Sequence, residues 1–152
     1  SLRGTVYGLN DPLITILYDS RRDNVSKIRN LFPYLDACGR TPEGLCYAAL
    51  GNEIISSRFG LKSYFINFCD GEPNWDGYQG IKAAYHTQGE VRKLRKRGIN
   101  IASYFIGSRN KTSEKLFKIM YEKDALFIDV DNIFNVAKTL NKILASDKRI
   151  IA

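Results

Sequence analysis

From residue 41 onward the chain switches repeatedly between two hydrophobic periods, and that alternation restricts the fold more than any other feature. Apolar runs rich in β-branched and aromatic residues fall at 61–69 (LKSYFINFC), 99–107 (INIASYFIG) and 125–130 (ALFIDV). Around them lie segments with helical spacing: 41–59, about 81–97, 112 or 113 to 121, and 131 onward. The order helix, strand, helix, strand, helix, strand, helix predicts right-handed crossovers. The fold class is therefore α/β, a mainly parallel sheet with helices on both faces. Both sides of the 61–69 run are apolar or aromatic, as a central parallel strand requires.

The boundaries have local causes. Thr41 is placed to cap the first of these helices, Pro42 suits its first position, and Glu43 favours the positive end of its dipole. Leu45, Ala48, Ala49 and Ile55 then make its core-facing stripe. Gly44 and Gly51 weaken a helix interior by up to about 1 kcal/mol each, so they are expected to permit close packing. Residues 70–80 (DGEPNWDGYQG) read as a loop. The 81–97 helix turns Ile81, Ala84, Gln88, Val91 and Leu94 to one side and ends on a cationic turn before Gly98. Thr112 or Ser113 opens the next helix. Asp131 caps a last one, with Ile133, Val136, Ala137, Leu140, Ile143 and Leu144 on one face. Upstream, 12–19 (PLITILYD) predicts a strand near 13–18, and 24–35 one or two helical turns interrupted at Pro33.

Composition removes several function classes. The 152 residues suffice for one domain, taken as 1–152, and no apolar run approaches the roughly 20 residues of a membrane helix. No cationic, apolar leader argues for secretion. Cys38, Cys46 and Cys69 are odd in number and show no CxxC spacing, which reads as reduced, mostly buried thiols in a cytoplasmic setting. His86 is the single histidine, so a His-rich zinc or non-haem iron site is excluded. Any bound metal would be a hard cation held by oxygens. The sequence has no GxxxxGK[ST] loop, GxSxG elbow or GxGxxG, and His86 has no identified acid to orient it. Catalysis by this chain alone is not expected. The net charge of +7 owes much to VRKLRKR at 91–97. Arg92, Lys93, Lys96 and Arg97 are candidates for nucleic-acid contact, although a solvated helix face is the simpler reading of them.

The segment FINFCDGEP (65–73) carries the functional argument. In open α/β sheets, binding groups gather beyond the carboxyl ends of the strands. Asp70 stands at such an end. A helix running antiparallel to the strands begins at the same edge, so Thr41 and Asp70 are predicted to share one rim. A hydroxyl and a carboxylate there are suitable partners for Mg²⁺, which takes few protein oxygens and keeps waters. Each residue also has a local reading: Thr41 as helix cap, Asp70 closing a turn with Gly71.

CGRTPEGLCYAAL, then FINFCDGEPNWDGY, then GEVRKLRKRGINIASYFIG resemble the later two thirds of a von Willebrand factor A (VWA) domain. The nearest flavour is that of cobaltochelatase T subunits and nitric-oxide-reductase activation proteins, including phage-encoded relatives. The resemblance covers roughly residues 1 to 145. It implies a VWA, Rossmann-like fold and a metal-ion-dependent adhesion site. That site would take a threonine, here Thr41, and an aspartate, here Asp70, and the metal is usually Mg²⁺. An acidic side chain of a protein partner can complete the shell. The family's remaining motif, DxSxS, is absent; Asp19, Ser20 and Ser26 in YDSRRDNVS have the wrong spacing. The resemblance thus implies a domain lacking its first strand and helix. SLRGT would be the tail of its second strand, and the missing strand would come from upstream sequence, another chain or rearrangement.

Three functions follow from the resemblance. The first is an adaptor module that works with a ring-shaped AAA+ ATPase or inside a larger assembly. Asn74, Trp75, Asp76 and Tyr78 would form its partner-facing rim. Gly71, Glu72 and Pro73 would shape the loop beside Asp70, with Glu72 a supporting contact. The second is a non-catalytic subunit of a cobalt or magnesium chelatase. The third is a metal-free structural or nucleic-acid-associated protein of a virion type, in a host cytoplasm or a particle.

Overall fold

The computed structural model describes residues 14, 16–34, 40–51, 62–107, 110–128, 137–138 and 141. Three parallel strands form the sheet: β1 (Ser63–Cys69), β4 (Ile99–Phe105) and β5 (Ala125–Phe127), in the order β1-β4-β5. Ser63 to Cys69 pair residue for residue with Ile99 to Phe105, and Ser103 to Phe105 with Ala125 to Phe127. Among the described residues β4 is therefore the central strand, and β1, expected there, lies at one end of the order. The long helix α3 (Gly80–Lys96) joins β1 to β4, and α4 (Lys111–Tyr121) joins β4 to β5. This is the α/β architecture that the alternation dictates.

Helix α2 (Glu43–Leu50) packs on α3, and α3 packs on α4. All three contribute to one core: Tyr47 from α2, Ala84 and Val91 from α3, Phe117, Met120 and Tyr121 from α4. The sheet supplies Phe65, Cys69, Ile101 and Phe105 to the same cluster. Alternate residues face the other way, where the Phe68 and Tyr104 rings stack with centroids 5.2 Å apart. Aromatic edges dominate the helical side. Phe105 meets Phe117 at 5.4 Å, and Tyr47 meets Phe65 at 5.1 Å.

Several local expectations are corrected. Thr41 does not cap α2; Pro42 occupies that position and makes no side-chain capping bond. The buried face of α2 is Glu43, Gly44 and Tyr47, whereas Leu45, Ala48 and Ala49 are exposed. Ile81, placed on the inner side of α3, is about half exposed (49%). Asn110, not Thr112 or Ser113, caps α4. Its Oδ1 accepts from the Thr112 and Ser113 amides at 2.9 and 2.8 Å, and Ser113 completes the capping box. The 70–80 loop contains a small hairpin, β2 (Asn74–Trp75) and β3 (Tyr78–Gln79), turning at Asp76-Gly77.

Upstream, α1 (Val25–Leu31) is capped by Asn24 and runs into a 3₁₀ turn over Phe32–Tyr34, as Pro33 demands. Of the strand expected near 13–18, the described residues 14 and 16–18 carry no strand pairing. Ala137, Lys138 and Asn141 are helical, and Ala137, placed on an apolar face, is exposed. The rest of that face, Ile55, Cys38 and the SLRGT segment lie outside the described residues. Among the described residues no helix is long and apolar enough to cross a membrane.

Candidate functional site

Where β1 ends, the chain must turn sharply, and Gly71 permits it. Its φ is +81°, and an added Cβ would lie 2.5 Å from the Phe105 ring and 3.0 Å from the Ser113 carbonyl. This turn leaves Asp70 exposed at the strand tip, with Oδ1 accepting from the Glu72 amide at 3.3 Å. The Thr41 carbonyl accepts from the Asn74 amide at 2.8 Å, which ties the start of α2 to the hairpin after β1. Thr41 and Asp70 line one cavity of ≈510 Å³ at the carboxyl edge of the sheet. Glu43, Cys46, Tyr47, Leu50, Phe65, Asn67, Phe68, Cys69, Ile14 and Ile106 line it too.

Glu43 is the unexpected member. It is only 4% exposed, and its Oε1 accepts from the Tyr121 hydroxyl at 3.2 Å. The Tyr121 oxygen also lies 2.5 Å from the Tyr47 hydroxyl and accepts from Asn67 Nδ2 at 2.8 Å. α2, β1 and α4 thus meet at one buried polar knot. Glu43 Oε2 is buried and has no hydrogen-bond partner.

Burial drives the Glu43 carboxyl above the ordinary carboxylate range. Asp70 adds to that rise, while Cys69, Tyr121 and Asn67 oppose it. The same burial, with Glu43 beside them, raises the Tyr47, Tyr121 and Cys69 groups. The knot therefore favours its protonated, uncharged forms. Cys46 and Cys69 are not in a disulfide.

The other expected partner-facing residues divide. Asp76 is exposed in the turn and pairs with Arg40 at 3.2 Å. Glu72 is exposed and accepts from Asn110 Nδ2 at 3.4 Å, a supporting contact to the cap of α4. Asn74 is exposed and Trp75 half-buried. Tyr78 turns toward the helix that follows it, α3: its hydroxyl lies 2.8 Å from His86 Nδ1, 3.1 Å from Thr87 Oγ1 and 3.2 Å from the Ala83 carbonyl. Gly44 presses on this group. A Cβ there would collide with the Tyr78 hydroxyl and lie 2.7 Å from His86 Nδ1. His86 is thereby held by Tyr78, with Glu90 3.8 Å away, and does not line the cavity.

The basic stretch is largely neutralised within the fold. Arg92 and Arg95 converge on Glu122, and Arg95 also reaches Asp124 at 2.7 Å and the Tyr121 carbonyl at 2.6 Å. Lys93 pairs with Glu90 at 2.6 Å. The Arg97 guanidinium donates to the Gly51 carbonyl, and Lys96 is exposed. The Arg92 partnership holds Glu122 below the usual carboxylate range. Of the four candidate cations, Arg92, Lys93 and Arg97 thus have partners within the fold.

Comparison with protein-family models, curated proteins and solved structures finds no match. The site therefore rests on its own geometry: an exposed carboxylate, a threonine and a buried carboxyl that line one cavity. The sequence gives Glu43 a helix-dipole role and singles out none of Asn67, Tyr47 and Tyr121. The one signal beside Glu43 was Gly44, a residue costly in a helix unless something packs against it.

Proposed function

We propose that this chain is a VWA-type protein-binding module, an adaptor rather than a catalyst. Its binding face is the rim at the carboxyl ends of β1 and β4. One observation carries the reading: Thr41 and Asp70, far apart in sequence, border the same cavity at that edge. Ligand sites of open α/β sheets occupy this edge. The donor chemistry suits Mg²⁺, since a hydroxyl and a carboxylate are hard oxygens. Among the described residues no group of three or more His, Cys, Asp or Glu is placed to hold a metal. Thr41 and Asp70 would then be a half-site. Water and an acidic side chain from the partner would complete the shell, and the ion would supply a charge bridge between the two proteins.

Asp76, Asn74 and Trp75 flank this rim on the hairpin and would set which partner fits. An AAA+ ATPase or a larger assembly is the partner class that the family resemblance supports. Within that assembly, a strand from upstream sequence or another chain would extend the sheet. A cytoplasmic location agrees with Cys46 and Cys69 standing outside any disulfide. The intramolecular pairing of Arg92, Lys93 and Arg97 favours the adaptor over a nucleic-acid role.

Calorimetric Mg²⁺ titration of the wild type, Asp70→Ala and Thr41→Ala tests the reading. Saturable binding to the wild type, weakened at least about tenfold by Asp70→Ala, supports it; tenfold corresponds to about 1.4 kcal/mol. Identical titrations of wild type and Asp70→Ala remove Asp70 from the metal shell and end the proposal.

A further inference from the structure

We propose that Glu122 is a positioning residue for the cavity at the carboxyl edge. Side chains of α3 hold its backbone in a conformation that seats the Tyr121 hydroxyl against three residues of the cavity wall. The first observation is backbone geometry. Glu122, just past the end of α4, has φ +53° and ψ −121°, and among the described residues it alone, glycines aside, has a positive φ. These angles match the first central position of a type II′ turn, where glycine dominates because an L side chain is strained there. A glutamate persists in such a conformation only where its surroundings over-determine it.

The second observation is what over-determines it. Glu122 Oε1 accepts from Gln88 Nε2 and from Arg92 Nε, each at 3.1 Å, and Oε2 pairs with the Arg95 guanidinium. Arg95 also donates to the Tyr121 carbonyl at 2.6 Å and to Asp124 at 2.7 Å, and Gln88 donates to the Ile119 carbonyl at 2.9 Å. Gln88, Arg92 and Arg95 share one face of α3. That face grips both flanks of the turn, backbone as well as side chains.

The third is where the turn leads. Tyr121, the preceding residue, is fully buried, and its hydroxyl reaches Tyr47, Asn67 and Glu43. All three line the cavity, and they come from α2 and β1. Tyr121 is therefore the link through which α4 sets the cavity wall. Turning Glu122 out of its positive φ moves the adjoining peptide, and the Tyr121 ring with it. A glutamate at 122 makes that link depend on α3; a glycine would hold the same turn unaided. The inference is independent of the metal reading, because neither Thr41 nor Asp70 takes part.

The test compares Glu122→Ala with Glu122→Gly in the full chain, by urea unfolding and by NMR of the isotope-labelled protein. Both remove the carboxylate, but only alanine keeps the Cβ that makes a positive φ costly. At an ordinary position glycine is the less stable of the two. Here the reverse order is expected, with the folding equilibrium of Glu122→Gly at least about threefold more favourable than that of Glu122→Ala. The Tyr47 ring and Asn67 side-chain amide signals are expected to move in Glu122→Ala and to stay at their wild-type positions in Glu122→Gly. Glycine no more stable than alanine means that 122 holds no strain and overturns the proposal. Signals of Tyr47 and Asn67 unmoved by alanine, the result for a surface ion pair, overturn it too, as do signals moved equally by both variants. If Glu122→Ala fails to fold while Glu122→Gly folds, the expected stability order holds. Arg92→Ala, which leaves Glu122 in place, then carries the NMR comparison: movement of the same two signals is expected, and their constancy overturns the proposal.

Discussion

Replacing Glu43 with glutamine keeps the side-chain shape and makes the group neutral at every pH. The informative quantity is the slope of stability against pH, not its value at one pH. The amide introduces donors where Oε2 has no partner, and an unsatisfied buried donor costs about 1–3 kcal/mol at all pH values. That offset is constant. The titrating part differs. Burial raises the folded-state pKa of Glu43 above its ordinary 4.5, so folding favours the protonated form. The stability contributed by the neutral acid is fully present below about pH 4.5. It is lost as pH rises from there to the folded pKa, at up to about 1.4 kcal/mol per pH unit.

Glu43→Gln loses nothing over that window. The difference in unfolding free energy, variant minus wild type, should therefore stay flat below pH 4.5, rise above it, and level off beyond the folded pKa. Asp19, held at about 2 by Arg21, and Glu122, lowered by Arg92, titrate in both proteins and cancel in the difference. Urea unfolding at half-unit intervals from pH 4 to 8, with m unchanged, supplies the measurement. A difference independent of pH refutes the reasoning, because Glu43 then titrates alike in folded and unfolded chains. A difference that falls with pH means the carboxylate, not the acid, is the folded form.

Two further substitutions test the packing around the site. Gly44→Ala would gain helix propensity of about 1 kcal/mol on an open helix. Here its Cβ collides with the Tyr78 hydroxyl and crowds His86 and Thr87, so a net loss of about 1–3 kcal/mol is expected by urea unfolding; a stabilised variant would mean Tyr78 yields freely. Asn110→Ala removes the side chain that caps α4 through the Thr112 and Ser113 amides, with an expected loss of about 1 kcal/mol in the same assay; no loss would mean water replaces the cap.

The strands and the two long helices were legible because burial and periodicity agree in them. SYFINFC and INIASYF are too apolar and β-branched for solvent, and α3 and α4 present apolar residues at helical intervals. Helix α2 was misread for the opposite reason. Its buried face is made of an acid and a glycine beside Tyr47, while its alanines and Leu45 face outward. Pattern reasoning places Glu43 outside, since a buried acid needs partners that come from β1 and α4, distant in sequence. The hairpin at 74–79 did carry a signal, an Asp-Gly turn flanked by Trp75 and Tyr78, which the density of Gly, Pro and Asn around it obscured. The shared rim of Thr41 and Asp70 was readable from topology alone, because a helix running back along a parallel sheet must start at the edge where the strands finish. The buried acid that lines the same cavity, Glu43, was not.

Amide chemical shifts of the isotope-labelled chain during Mg²⁺ titration test the central claim most directly. The account predicts saturable changes centred on residues 41–43 and 70–72, abolished by chelator and by Asp70→Ala. Changes centred instead on the acidic cluster at Glu122 and Asp124, or no saturable change at all, would contradict it.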